Sequence, residues 1–185
     1  MILWPFRQST QHRTIAALYG AIVTQARSPV FYTDFGVPDT VQGRFDLIVL
    51  HLVLLLHRLE RESGAGEILG QQLFDAFCRD LDGNLREMGI GDLAVPKHMR
   101  RFGEAFYGRQ AAYLAALQAA EGADFENALA RNIFTVVGPD DRAARLAHYA
   151  RAALRDLDIQ DHGSIARGKV AFPKPEAFAD VPASL

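Results

Sequence analysis

Cysteine, lysine and long apolar runs are what this chain has least of. Its single cysteine, Cys78, excludes a disulfide within the chain and fits a reducing compartment. Lysine appears only at Lys97, Lys169 and Lys174 among the 20 basic residues. The arginine excess suits a high-GC genome as well as any phosphate site, and assigns no function. A net charge of −2 gives no bulk field for nucleic acid or an anionic membrane. The longest aliphatic run, 47–56 with only His51 inside it, falls well short of the ~18 residues that span a bilayer. Asp46, His57 and Arg58 bound it closely. No secretory signal or transit peptide is apparent. Residues 1–6, MILWPF, are apolar but too few for a signal core, and are expected to dock on their own domain.

Motifs that carry chemistry are missing too. The chain has no HExxH, CxxC or GxSxG, no P-loop, and no GxGxxG opening a helix after a strand. His51 and His57 lack the i, i+4 spacing that puts two metal ligands on one helical turn, and no Glu-x-x-His pair of the di-iron kind stands on a helix. No basic recognition helix follows a short partner helix. The expectation is therefore no catalytic residue, no metal, no cofactor and no nucleic-acid partner.

What is present is helix. At 185 residues and 49% hydrophobic content, the chain has material for one compact domain, 1–185, with a real core. The pattern predicts an all-α irregular bundle around a central apolar helix, 40–62, with an extended C-terminal strap. A helix apolar on nearly all sides is normally buried on nearly all sides. Its N-terminus reads as Pro38 fixing the entry, Asp39 as cap and Gln42 completing a capping box, with Gly64 as the stop. Arg44, His51 and Arg58 recur every seven residues along one line of it, and Asp46 and His57 share a second line on roughly the opposite side. Two readings follow: these groups satisfy buried backbone or pair with acids such as Asp34, or they form a polar seam along a groove for a partner. Ahead of the helix an aromatic loop holds Phe31, Tyr32 and Phe35 between Pro29 and Pro38, with Asp34 and Asp39 interleaved.

The flanking pattern supplies the rest of the bundle. A first helix is expected over 10–26, capped by Thr10, with Ile15, Leu18, Tyr19, Ile22, Val23 and Ala26 as its stripe. A third begins near Glu67 and carries Leu69, Leu73, Phe74, Phe77, Cys78 and Leu81; glycines 83, 89 and 91 predict a broken helix and a turn after it. A long helix over 95–120 starts at Pro96 and buries Met99, Phe102, Ala105, Phe106, Ala112, Tyr113, Ala116 and Leu117. Its first turns hold Lys97, His98, Arg100 and Arg101, the densest basic cluster in the chain, either a solvated face or a contact for acidic groups. A short helix capped by Asp124 carries Phe125, Leu129, Ile133 and Phe134. The last helix opens at 138–141, with Leu146, Ala147, Ala150, Leu154 and Leu157 inward. From Ile159, glycines and prolines deny further helix, and the end frays after about Glu176.

The run FYTDFGVPDTVQGRFDLIVLHLVLLLHR, 31–58, resembles the ubiquinol–cytochrome c chaperone family, through FY-x-D-F-G-x-P-D-T, the F-D-L at 45–47 and the helical His51. LFDAFCRDLDGNLREMGIGDLAVPKHMRRFGEAFYGR is similar to that family's second block, and LARNIF, LAHYARAALRDL and a terminal G-x-V-x-F to its later part. The likeness covers about 15–173. It implies a non-enzymatic assembly chaperone for the cytochrome bc1 complex, with cytochrome b or another bc1 subunit as client. The expected location is the cytoplasm, with peripheral contact on the cytoplasmic face of the inner membrane. The mitochondrial members' N-terminal extension is not matched, so their partner subunit and ribosome contact do not carry over. The expected client surface is Phe31, Tyr32, Asp34, Asp39, Arg44, His51 and Arg58, with Lys97, Arg100 and Arg101 as a basic patch. The alternative is a helical carrier that binds quinone or lipid between its helices.

Overall fold

The computed structural model describes residues 4–62, 64–118 and 123–180, with side chains from residue 10 onward. The docking expected of residues 1–6 therefore lies outside the described side chains. Eight α-helical segments run in order: α1 (Trp4–Ala26), α2 (Val30–Thr33), α3 (Val41–Glu60), α4 (Ala65–Glu87), α5 (Val95–Gln118), α6 (Asp124–Leu129), α7 (Asp141–Ile159) and α8 (His162–Ile165). A π turn, Ala130–Phe134, follows α6, and a 3-10 turn, Pro175–Phe178, closes the order. Among the described residues there is no strand, and no helix is long and apolar enough to cross a membrane.

The apolar helix is central, as its composition predicts. α3 packs against α1, α4 and α7 and also meets α5 and the π turn. Leu47, Val49, Leu50, Leu52, Val53, Leu54, Leu55 and Leu59 all have 0% exposure, so the helix is covered nearly all round from Leu47 to Leu59, and only its two ends reach water. The flanking helices are amphipathic instead: Ile15, Leu18, Ile22 and Ala26 of α1, and Leu146, Ala147, Ala150 and Leu157 of α7, face it.

Several helix ends differ from expectation, each for a local reason. α1 begins at Trp4, so Thr10 is interior and caps nothing. Thr40, not Asp39, caps α3: its backbone is extended and its hydroxyl accepts the Gly43 N–H at 3.1 Å. Asp39 instead pairs with Arg44, and Gln42 reaches forward to Asp46 rather than back to the cap. Glycine is required at 43, because a Cβ there would lie 2.0 Å from the Pro38 carbonyl oxygen. α4 is not broken at Gly83. It runs to Glu87 and stops at Gly89 (φ 81), where Ile90 N–H returns to the Leu85 carbonyl. Ala105 is exposed, off the buried face of α5, and Asp124 lies inside α6 rather than capping it. Asp140 does cap α7, accepting from the N–H groups of Arg142 and Ala143.

The C-terminal segment is a strap interrupted by α8 and the 3-10 turn, so glycine and proline did not exclude helix there altogether. Between those pieces Gln160 pairs both ways with Ala171, and Phe172 lays its ring 5.1 Å from that of His51. Phe178 packs on Tyr149, so the fraying expected after about Glu176 does not begin there; residues beyond 180 lie outside the described ones.

Candidate functional site

The aromatic block before α3 is less of a loop than its sequence suggests. Pro29 starts one helical turn, α2, which swings Phe31 inward and leaves Tyr32 on the rim. Phe31 and Phe35 are fully buried, their rings 5.3 Å apart, and Phe31 meets Tyr149 at 4.9 Å. Tyr32 donates its hydroxyl to the Ala26 carbonyl at 2.7 Å, which ties the block to the end of α1. Over its ring, at 5.5 Å, lies the Arg44 guanidinium, held there by Asp39 at 2.7 Å. Asp34 keeps its carboxylate exposed while its carbonyl accepts from Arg145.

The expected client residues therefore divide. Tyr32, Asp34, Asp39 and Arg44 form a surface. Phe31, His51 and Arg58 are buried and hold the fold together, so in this conformation they offer nothing to a partner; that part of the expected set is corrected. His51 donates from Nδ1 to the Leu47 carbonyl at 2.7 Å, and its Nε2 faces the Tyr149 hydroxyl at 2.8 Å. A carbonyl can only accept, so Nδ1 carries the proton and Nε2 accepts from Tyr149. Burial pushes the imidazole down to about 4 and holds it neutral. Gln25 completes the chain, its amide donating to the Tyr149 oxygen and the Pro173 carbonyl, each at 2.9 Å. Arg58 closes the end of α7: Nε donates to the Leu157 carbonyl at 3.0 Å and Nη2 to that of Gln160 at 3.1 Å, with Glu62 as counter-ion. His51, Arg58 and Asp46 of the seam are thus internal, as in the first of its two readings, whereas Arg44 stays on the surface; Asp34 is not the acid any of them pairs with.

Two concave features were not legible in the sequence. A groove of about 280 Å³ runs between α3, α4 and α5, floored by Leu56, Gly66, Gly70, Phe74 and Phe106. Glu60, Glu67, Gln71 and Gln110 make its polar edge, and Tyr107 stands in it 59% exposed. Gly66 lets the start of α4 approach the end of α3, since a Cβ there would lie 2.4 Å from the Leu59 carbonyl oxygen. A second, polar cleft of about 540 Å³ lies where the start of α3 meets α5 and the π turn. Asp46 lies at this cleft, 3.0 Å from Arg109 and 2.9 Å from Gln42. Burial pushes its carboxyl up while Arg109 and Gln42 pull it back.

The basic cluster sits at the start of α5 with Lys97, Arg100 and Arg101 all exposed. Arg100 has only a loose neighbour in Glu104, at 4.0 Å. On the turn just before them Leu93 is 99% exposed and Met88 69%. Reversing the three charges is expected to move stability by no more than ~0.5 kcal/mol, because the side chains are exposed and unpaired in the main. A melting curve checks this, and a large loss would show hidden packing.

The described residues thus form a helical bundle with a filled core, a mixed apolar and polar groove between α3, α4 and α5, and an aromatic rim ahead of α3. The chain belongs to the ubiquinol–cytochrome c chaperone family, whose model matches residues 33–172. It is 26% identical over 160 residues to a Xenopus laevis protein described as ubiquinol-cytochrome-c reductase complex assembly factor 1, covering 85% of this chain and 80% of that one. The solved structure of the Cbp3 homolog from Brucella abortus is similar throughout: TM-score 0.85, 36% identity, 95% of this chain and 98% of that one covered. The match supports the all-helical fold independently of the core argument.

Proposed function

We propose that the chain is a non-enzymatic assembly chaperone of ubiquinol–cytochrome c reductase that holds newly made cytochrome b. Family membership supplies the complex, and the α3–α4–α5 groove supplies the observation that carries the client class. Cytochrome b is a bundle of apolar helices, and an open groove with an aromatic floor and polar edges suits the helix-in-groove mode. A carrier of quinone or lipid would want an enclosed apolar cavity, and the groove is open. The Tyr32–Asp39–Arg44 surface serves the polar end of the client. Its ring, cation and carboxylate are already assembled, so little order is lost on binding.

The test is a double variant, Tyr32→Ala with Arg44→Glu. Two anchor residues of this kind are together expected to carry about 2 kcal/mol of binding, roughly thirtyfold in affinity. Haem b spectra of membranes from cells carrying the variant should fall, while the purified protein stays folded and its melt drops only by the loss of the Tyr32–Ala26 and Arg44–Asp39 contacts. Normal spectra with a folded variant would reject this surface.

Peripheral contact with the membrane belongs to the same proposal. Leu93 and Met88 present apolar tips beside Lys97, Arg100 and Arg101, which suits a layer of anionic headgroups over acyl chains. Charge reversal of the cluster is expected to weaken co-sedimentation with anionic vesicles, most clearly at low salt. Unchanged sedimentation would make the cluster a solvated face.

A further inference from the structure

The polar cleft beside α3 has features that the fold alone does not use. Asp46 is 4% exposed; Gln42 Nε2 donates to its Oδ1, and Arg109 Nη2 lies 3.0 Å from the same oxygen as an ion pair. Arg109 makes no hydrogen bond among the described residues beside this ion pair, and its side chain is 18% exposed. Arg131 lines the same cleft, exposed, with no ion pair or hydrogen bond among the described residues. Two guanidinium groups against one carboxylate leave the cleft one positive charge in excess.

Its backbone is strained where Arg131 and Asn132 are presented. The π turn spans Ala130–Phe134, and Thr135 after it is left-handed, φ 55 and ψ 33, alone among the described non-glycine residues. The N–H groups of Thr135 and Val136 both return to the Ala130 carbonyl, which locks that widened turn. Asn132 faces the buried Tyr113. Left-handed threonine costs on the order of 1 kcal/mol, and such strain gathers at binding sites. An ordinary α-helical turn would spread these residues differently around the axis.

We infer that this cleft is a carboxylate-binding site, which holds an acidic side chain or terminal carboxylate of the polypeptide client between Arg109 and Arg131. The inference rests on the client reading above and adds the chemistry recognised. Among the described residues the guanidinium of Arg109 has no partner besides Asp46, so its N–H groups are open to a guest. One unit of excess charge matches a carboxylate better than a dianionic phosphate. The planar fork of arginine fits the two carboxylate oxygens side by side. Asp46 fixes the Arg109 plane, and Arg131 closes on the guest from the π turn.

The experiment uses the full chain labelled with 15N and titrated with sodium acetate against sodium chloride at constant ionic strength. Saturable shifts are expected for the amides of 40–46 and 131–136 and for the side-chain N–H groups of Arg109 and Arg131. Arg131→Gln, at an exposed position, is expected to weaken the midpoint about tenfold, as loss of one charged hydrogen bond does. A triple variant, Lys97→Gln, Arg100→Gln and Arg101→Gln, should leave it unchanged. Shifts that never saturate, or an unaltered midpoint in Arg131→Gln, would overturn the site. Tighter binding of inorganic phosphate than of acetate would assign it to phosphate and overturn the carboxylate. In cells, Arg131→Gln should lower haem b. Acetate binding with normal haem b in that variant would reject the client as the source of the carboxylate, while the assembly role, tested by deleting the gene, stands or falls separately.

Discussion

Replacing Leu54 with alanine is expected to lower the unfolding free energy by ~2–5 kcal/mol, the largest loss of any single truncation argued for this protein. Leu54 is wholly buried, as are Leu50 and Val53, within a helix that has neighbours on every side. On an amphipathic helix a removed side chain leaves a gap that solvent or a shifting neighbour partly fills. Here α1, α4 and α7 all pack on the helix that carries Leu54, and a close-packed core resists their moving inward. The cavity therefore persists and adds to the lost transfer energy. Urea unfolding of parent and variant measures the difference at once. A loss below ~1 kcal/mol would mean that the packing around α3 is loose enough to collapse.

Acid is expected to remove about 3 kcal/mol of stability through His51 alone. Its imidazole titrates at about 4 in the folded protein, against 6.5 in the unfolded chain. Between those values the unfolded state binds a proton that the folded state refuses, so stability rises with pH across the window. The contribution is complete above about 6.5 and lost as pH falls through about 4, and the width sets its size. The cause is desolvation, partly offset by the Leu47 carbonyl; protonation would also turn Nε2 from acceptor to donor against the Tyr149 hydroxyl. His51→Gln should be less stable at neutral pH but nearly flat across this window once carboxylate titration, common to both proteins, is subtracted. An equal slope in both would show that His51 does not stay neutral in the fold.

The bundle was legible because its main signal is a run of aliphatic residues that only burial on all sides can satisfy. Local end signals were less secure. Asp39 and Thr40 are both good caps, and what separates them is Arg44, which draws Asp39 into an ion pair and leaves the cap to threonine. Gly83 reads as a breaker, yet α4 continues through it, because Leu73 and Phe77 before it are packed against the rest of the core. Long-range partners left no trace in the pattern. Tyr149 lies on the buried stripe of α7 and passes for one more core residue; its hydroxyl gains meaning only beside His51, 98 positions away. The polar line on α3 was visible, and its inward direction was not, since a heptad spacing fixes a line and says nothing of what faces it. Arg109 and Asn132 escaped for the same reason: an arginine on an amphipathic helix looks solvated until Asp46 is placed beside it.

The hydrogen-bond chain through Gln25, Tyr149, His51 and Leu47 has a consequence for folding order. Leucines and valines around α3 are nearly interchangeable as packing partners, so a collapsed chain could seat that helix at several rotations with similar apolar contact. Only one rotation lets His51 reach Tyr149 while Gln25 holds both Tyr149 and the Pro173 carbonyl. Every other rotation buries an imidazole, a phenol or an amide without a partner. The chain works as a key that rejects near-misses, and it cannot turn until residues as far apart in sequence as 25 and 173 have met. Final locking of the core therefore waits until the segment around Pro173 has docked.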